Sequence, residues 1–240
     1  MNGETKMAIS DTSAERSVLQ EVRRALGRSE TIRPAPLGEF EEEFVAQSTL
    51  EVVERFVAEA TALGCLVHKA QNGNKIAETV AGIIEAGTAK DIVLSKFELF
   101  DQLELRSRLQ MLQIRTHLAA EFSAVGKDRL IKELADSPIG LTAADWAIAE
   151  TGTVVLTSDE DGALLVSLLP PVHIALLRTS RIRQSLAEVL AELSETRVRC
   201  DLPFRSATFI SGPSRTSDVE LTLSIGVHGP KELHVIILED

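Results

Sequence analysis

The sequence predicts an α/β fold in which helices flank a mostly parallel sheet, preceded by a helical arm. Apolar runs of strand length alternate with amphipathic helical segments through most of the 240 residues. Hydrophobic residues make up 44% of the chain, enough to build a packed core. The run 172–177 is apolar apart from His173, which is typical of a strand buried on both faces.

The first forty residues predict an arm and a linker. Apolar residues at 13–26 fall on one face of a helix, and Gly27 ends it. The prolines of 33–36 favour extended backbone, because each proline disfavours helix in the residue before it. We therefore assign 1–38 to an amphipathic arm and linker, and 39–240 to the α/β domain. The arm could dock on a partner or on its own domain.

A βαβ unit follows the linker and a long helix. The amphipathic pattern from about residue 40 to residue 63 predicts a helix that ends at Gly64. A strand at 65–68, a helix ending at Gly87 and a strand at 92–94 come next. Because such crossovers are nearly always right-handed, the two strands should belong to one parallel sheet.

The remaining segments continue this alternation. A helix is predicted to begin at Ser180, with its apolar residues at helical spacing facing inward. The other predicted helices cover 106–112 and 127–135, and the other predicted strands cover 116–119, 139–142, 153–157, 172–177, 208–210, 221–225 and 234–238.

Charge and hydropathy exclude several classes of partner. The formal net charge is −11, and no cluster of Lys and Arg is long enough to follow a phosphate backbone. Nucleic acid and anionic membrane are therefore not expected as partners. No apolar run approaches the roughly 20 residues that span a bilayer.

The cysteine count predicts the compartment and excludes one cofactor. Cys65 and Cys200 lie far apart and no secretory signal pattern opens the chain, so we expect a cytoplasmic protein with reduced thiols. Iron–sulfur clusters normally take four thiolates, which this chain cannot supply alone. The five histidines do not have the spacing of a metal site. We expect no cofactor and no metal on this chain.

Familiar nucleotide and hydrolase motifs are missing. Gly126-Lys127 fails as a phosphate-binding loop, because Glu121 replaces the first glycine and Asp128 replaces the hydroxyl residue that would hold magnesium. No G-x-G-x-x-G follows a strand, and no G-x-S-x-G is present.

The segment "SGPSRTSD", residues 211–218, predicts an anion-binding loop. Gly212 permits a positive φ or a close backbone approach, and Ser214 can donate a hydrogen bond together with the amides that follow it. Arg215 adds a guanidinium fork that suits a carboxylate or a phosphate. With Thr216, these residues form the predicted binding set for a small carboxylate or phosphate.

Titratable residues near this loop are candidates for proton transfer. His228 precedes a Gly-Pro pair and could accept a proton near neutral pH, or it could cap a hairpin. Asp218 and Glu220 are predicted to support the loop. In the alternative, Arg215 only pairs with Glu220 or Glu150 within a turn.

The segment "AETGT", residues 149–153, provides the second candidate. Glu150 stands directly before a glycine and a strand, where burial would let it act as nucleophile or base. Asp145, Thr151 and Gly152 are its predicted supporting residues. In the alternative, Glu150 pairs with an arginine or caps a turn. The predicted catalytic residues are thus Glu150 and His228.

Three blocks of the sequence resemble a known family. They are "ADWAIAETGTVVL", "LPPVHIALLRTSRI" and "FISGPSRTSDVELTLSIGVHGPKELHVIILED". In this order they resemble the lactate utilization protein C family, the LUD domain, over about residues 40–240. The resemblance implies a fold similar to the ribose-phosphate isomerase, glucosamine-phosphate deaminase and CoA-transferase group.

The resemblance also implies a role. It places the chain in a cytoplasmic system that oxidises L-lactate to pyruvate with two iron–sulfur partner proteins. The low cysteine count agrees, because the clusters would then lie on the partners. On this hypothesis Arg215 and the amides of 212–216 bind the lactate carboxylate, and His228 or Glu150 accepts the hydroxyl proton.

Two other functions remain open. The domain could be a stand-alone enzyme, either CoA-transferase-like with Glu150 as nucleophile or one that binds a phosphosugar. It could also be a non-catalytic assembly or regulatory module that binds a small anion and docks partners through residues 12–27.

Overall fold

The computed structural model describes residues 48–86, 91–95, 98–123, 126–158, 163–199, 206–217 and 223–240. The predicted arm, the proline linker and the start of the helix predicted from about residue 40 lie outside these ranges, so the division at residue 38 stays a prediction. Within them the predicted α/β class is confirmed. No helix of the described ranges is both long and apolar enough to cross a membrane.

A six-stranded sheet, parallel throughout, forms the centre of the described domain. Its hydrogen-bonded order is β1-β12-β7-β4-β2-β3. In chain order these strands are β1 (Leu66–Ala70), β2 (Asp91–Leu94), β3 (Arg115–Leu118), β4 (Ile139–Ala143), β7 (Val172–Arg178) and β12 (Glu232–Leu238).

Helices cover both faces of this sheet. One face packs on a helical layer through a buried cluster that includes Ile76, Leu105, Ile174 and Ile236. The helices are α1 (Thr49–Ala62), α2 (Gly73–Ala86), α3 (Glu98–Gln102), α4 (Leu105–Met111), α5 (Ala119–Ser123), α6 (Lys127–Asp136), α7 (Ala163–Leu168) and α8 (Leu186–Arg199).

A second sheet and a hairpin complete the domain, and neither was fully predicted. The four-stranded sheet has the order β8-β5-β6-β9, with β5 (Trp146–Ile148), β6 (Thr153–Ser158), β8 (Ile182–Arg183) and β9 (Ser206–Ile210). Together with α1 it buries the other face of the main sheet, in a cluster that includes Phe56, Val154 and Val235. The hairpin pairs β10 (Arg215–Ser217) with β11 (Leu223–Ile225).

The helix predicted to begin at Ser180 is wrong in its first turn and a half. Residues Thr179–Arg181 form a 3₁₀ turn, Ile182 and Arg183 pair with β5, and α8 begins only at Leu186. The backbone groups of 182–183 satisfy their hydrogen bonds in the second sheet, so they are not free to start a helix.

The second sheet is tied to α8 through a tryptophan. Trp146 is nearly buried, and its indole Nε1 donates to Glu192 Oε2 at 2.7 Å. Replacing Trp146 with Phe keeps an aromatic ring but removes the donor, so we expect a loss of about 1 kcal/mol in the free energy of unfolding. Urea unfolding followed by circular dichroism measures it, since Trp146 is the only tryptophan.

A double-mutant cycle with Glu192→Ala, which removes the acceptor, separates the hydrogen bond from packing. If the two substitutions add without coupling, the bond contributes nothing and the expectation fails.

The strand order creates a crevice at the carboxyl ends of the central strands β2 and β4 of the main sheet. From β2 the chain goes on to β3 on one side, and from β4 it goes through β5 and β6 of the second sheet to β7 on the other side. The connections from β2 and β4 therefore go to opposite sides, and ligands of open parallel sheets bind at such a point, outside the carboxyl ends of the strands.

Candidate functional site

A small cavity lies at this crevice. Its volume is about 130 Å³, and it is lined by α3, which follows β2, and by residues after β4 and at the end of β7. It is well below the ~300–1,000 Å³ of drug-sized ligand sites, so it suits a molecule of a few heavy atoms. The lining residues are Glu98, Leu99 and Gln102 after β2, Ala144 and Asp145 after β4, and Arg178 and Arg181 at and after the end of β7.

Two acids line this cavity: Glu98, which accepts from Gln102 Nε2 at 3.1 Å, and Asp145, which β6 holds in place. Asp145 Oδ2 accepts hydrogen bonds from the Thr157 amide at 2.7 Å and the Thr157 hydroxyl at 2.9 Å, which fix the carboxyl group against β6. Desolvation raises the pKa of Asp145, although the hydrogen bonds from Thr157 and the charge of Arg181 act in the opposite direction. The group therefore takes up a proton more readily than an ordinary aspartate.

Two arginines provide positive charge beside Asp145. Arg178 donates from Nη2 to Gln102 Oε1 at 2.9 Å and from Nη1 to Asp240 Oδ2 at 3.3 Å, so both ends of its fork are engaged. Arg181 is exposed, and its charge acts on the carboxylates of Asp145 and Glu192. An arginine that faces a small cavity beside a protonatable acid can bind an anion that also carries a hydroxyl or carbonyl group.

The predicted anion-binding loop lies elsewhere, against the end of α1. Gly212 has φ +94°, and a Cβ there would come within 3.0 Å of the Leu63 carbonyl oxygen. The Arg215 guanidinium donates to the same Leu63 carbonyl. Carbonyl groups at a helix C-terminus carry partial negative charge, so Arg215 is placed as a cap for α1.

Ser214 joins this loop to the segment that contains His228. The Ser214 amide donates to the Pro230 carbonyl at 2.9 Å, and its carbonyl accepts from the Gly226 amide at 3.0 Å. His228 is exposed. Pro230 lies two residues before the start of β12, so the loop lies at the amino edge of the main sheet, opposite the crevice.

Thr216 lies in β10, paired with Ser224 of β11. Asp218 and Glu220 lie outside the described residues.

The segment 149–153 contacts two different parts of the chain, the start of α8 and Ser211. Glu150 Oε1 accepts from the Leu186 amide at 2.7 Å, which caps the start of α8. The Thr151 hydroxyl lies 2.8 Å from the Thr153 hydroxyl, which in turn lies 2.7 Å from the Ser211 hydroxyl. The structure thus brings Thr151 next to the predicted anion loop. Glu150 caps the start of α8, and the sequence predicts either a capping role or a catalytic role for it.

Gly152 of this segment packs into α1. Its φ is +60°, and a Cβ there would lie 2.3 Å from the Ala60 amide nitrogen. Four of the predicted residues, Thr151, Gly152, Gly212 and Arg215, therefore meet near one helix end, whereas Asp145 lies in the crevice. The roles assigned to the predicted site residues stay predictions.

The sequence reasoning missed Arg178 and Arg181. The signal that could have found them is position: both follow the buried run 172–177, where a parallel strand delivers polar residues to its carboxyl edge. The prediction of a helix from Ser180 placed Arg181 in that helix instead of in the segment that follows a strand.

The imidazoles form a separate cluster on the sheet. His68 Nε2 lies 3.1 Å from His234 Nδ1, with the two rings nearly parallel, and His234 Nε2 lies 3.4 Å from Glu232 Oε2. His173 is fully buried, and its Nε2 lies 2.8 Å from the Thr142 hydroxyl. Across the part of the chain that the structure describes, no group of three or more His, Cys, Asp or Glu residues could hold a metal ion.

The chain is similar to curated proteins from bacilli. "Lactate utilization protein C" of Halalkalibacterium halodurans is 32% identical over 167 residues, which cover 70% of this chain and 70% of that protein. The protein of the same name from Anoxybacillus flavithermus is 31% identical over 169 residues, covering 70% of this chain and 72% of that protein.

The fold and the family are shown by two further comparisons. The crystal structure of a DUF162 family protein from Deinococcus radiodurans superposes with a TM-score of 0.56 at 21% identity, over 80% of this chain and 99% of that chain. The family model of the LUD domain matches residues 53–238, which include both sheets and the crevice. The chain therefore belongs to the LUD domain family.

Proposed function

We propose that this chain is a component of a lactate utilisation system that oxidises L-lactate to pyruvate with two iron–sulfur partner proteins, and that it holds the substrate at the crevice. The names of the similar proteins support the process. One observation carries the location: Asp145, Arg178 and Arg181 surround a cavity of about 130 Å³ at the carboxyl edge of the sheet.

The cavity fits the substrate in size and in charge. Lactate has six heavy atoms, which agrees with a cavity this small. The exposed guanidinium of Arg181 is placed to pair with the carboxylate. Arg178 lies beside it, but its charge is already paired with the Asp240 carboxylate, so Arg181 is the cation that we assign to the substrate. An arginine fork suits a carboxylate because two parallel N–H groups meet its two oxygens.

Asp145 is placed to handle the substrate proton. Oxidation of L-lactate to pyruvate removes two electrons and two protons, one from the hydroxyl group and one from the carbon that bears it. The raised pKa of Asp145 makes it a stronger base than an ordinary carboxylate, so it is suited to accept the hydroxyl proton.

A hydride acceptor on the partner proteins would take the carbon-bound hydrogen with both electrons, and the iron–sulfur clusters of the partners would then carry the electrons onward. With two cysteines, this chain lacks the thiolates for a cluster of its own.

Binding of L-lactate by calorimetry tests the location. We expect Arg181→Gln to raise the Kd of L-lactate about tenfold or more, because a charge-assisted pair is lost. Arg129→Gln is the matched control, since Arg129 is an exposed arginine on α6 whose ion-pair partner is Glu133. If Arg215→Gln weakens binding and Arg181→Gln does not, the crevice is wrong and the predicted loop at α1 is the site.

Reconstitution tests the process. L-lactate-dependent dye reduction is measured with this chain alone, with the iron–sulfur partners alone and with the mixture. Activity only in the mixture, lowered by Arg181→Gln, supports the proposal. A mixture that stays inactive although the partners carry intact clusters contradicts it.

A further inference from the structure

The carboxylate of Asp240 is held by a dense set of donors at the end of β7. Its Oδ1 accepts from the Thr179 hydroxyl and from the Ser180 amide at 3.0 Å. Its Oδ2 accepts from the Ser180 hydroxyl at 2.7 Å and from Arg178 Nη1 at 3.3 Å. We call Arg178, Thr179 and Ser180 the carboxylate receptor.

The receptor holds both carboxylate oxygens of Asp240, so it can bind the carboxylate group of another molecule. One guanidinium, two hydroxyls and one amide bond the two oxygens of a single anionic group, which is how proteins bind free carboxylates. Desolvation alone would raise the pKa of Asp240, but the hydrogen bonds from Thr179, Ser180 and Arg178 outweigh it and lower the pKa to about 2. The group in the receptor is therefore charged at every physiological pH.

The receptor also lies between two cavities. Arg178 lines the cavity of about 130 Å³. Thr179 and Ser180 line a second cavity of about 310 Å³, which is bordered by the start of α1 and by β8. A ligand in either cavity is thus next to donors that Asp240 already occupies.

We propose that the carboxylate receptor is an anion-binding subsite and that Asp240 is its internal competitor, which a ligand carboxylate must displace. The inference rests on the proposed function only for the identity of the natural ligand. The receptor chemistry needs nothing beyond a small carboxylate, so acetate is a sufficient probe.

Displacement has a measurable consequence for affinity. When the binding-competent state is only a fraction of the population, the apparent Kd rises by the inverse of that fraction. A side chain held by four donors fills its receptor most of the time, so the receptor is open in a minority of molecules. Removing the carboxylate should therefore tighten binding of a free carboxylate.

Acetate titration of the full chain by calorimetry tests the competition. We expect Asp240→Asn to lower the Kd of acetate at least tenfold, because the amide can accept at only one of the two positions, carries no charge and therefore competes less well for the receptor. Glu239→Gln is the matched control, since it removes the same charge one residue earlier. Adding Ser180→Ala to Asp240→Asn should reverse the gain. If Asp240→Asn binds acetate no more tightly than the unaltered chain, the inference is overturned. Asp240 then serves only to connect the end of β12 to the end of β7.

A second measurement covers the case in which the variant is too unstable. In the unaltered chain, the side-chain carboxyl carbon of Asp240 should shift in the carbon-13 spectrum as acetate is added, and that of the exposed Glu239 should not follow the same titration. A fixed Asp240 signal up to saturating acetate contradicts displacement. Failure of the lactate proposal appears differently, as equal affinity for L-lactate in the unaltered chain and Arg181→Gln.

Discussion

Replacing Gly152 with alanine is expected to lower the free energy of unfolding by about 3 kcal/mol. The backbone of Gly152 is left-handed, with φ +60°, which costs any other L-residue about 1–2 kcal/mol. The added Cβ would also lie 2.3 Å from the Ala60 nitrogen and 2.6 Å from the Glu59 carbonyl carbon. These are backbone atoms of α1 that cannot move aside singly, so an overpacking cost of about 1–3 kcal/mol is added.

Urea unfolding at neutral pH measures this effect. Gly82→Ala is the control, because Gly82 lies in α2 and a Cβ added there would meet only open space. There alanine should stabilise the helix by up to about 1 kcal/mol. Equal effects of the two substitutions would show that Gly152 is not pressed against α1.

Lowering the pH from 7 to 5 is expected to cost the protein about 2 kcal/mol through His173 alone. The ring is fully buried, and its Nδ1 has no hydrogen-bond partner among the described residues. Desolvation, with a smaller contribution from the charge of His234, lowers the pKa of His173 to about 3. Burial also lowers the pKa of His68 and His234.

The sign follows from the order of protonation. Because the folded pKa lies below the unfolded value of about 6.5, the unfolded chain takes up the proton first as the pH falls. The stability is fully present above pH 6.5 and is lost progressively from there towards pH 3. At pH 5 the fall covers about 1.5 pH units, at about 1.4 kcal/mol each.

Urea unfolding at pH 7.5, 6 and 5 tests the expectation. His173→Gln keeps a polar group near Thr142 but cannot titrate, so its stability should vary less with pH. This comparison also removes the contribution of Asp145, whose raised pKa acts in the opposite direction. The same pH slope in His173→Gln and the unaltered chain would contradict the role of His173.

Most of the main sheet could be predicted from the sequence because its central strands are mainly apolar runs of strand length. The predicted strand at 172–177 agrees with β7, and 139–142 agrees with β4. In the second sheet the predicted strands at 153–157 and 208–210 agree with β6 and β9, whereas β5, with three residues, and β8, with two, could not be predicted. Such short segments show no period, and only pairing with other strands identifies them.

The candidate site was harder to predict because polar residues at the crevice come from three separate segments of the chain. The sequence drew attention to Gly212, Arg215 and Glu150 through their glycine and proline neighbours. Those neighbours mark tight packing as readily as binding: Gly212 lies against Leu63, and Arg215 caps the same residue. Arg181 carried no local signal, and only the strand order shows that it faces Asp145 across a cavity.

The position of β1 has a consequence during synthesis of the protein. Among the described strands β1 pairs only with β12, which the ribosome makes about 160 residues later. At about 5–20 residues per second, β1 waits on the order of 10–30 s with an open edge. Leu66, still 48% exposed in the finished fold, lies on that edge. The nascent chain is therefore most prone to aggregation or chaperone binding at β1. This interval ends when β12 has been synthesised and pairs with β1.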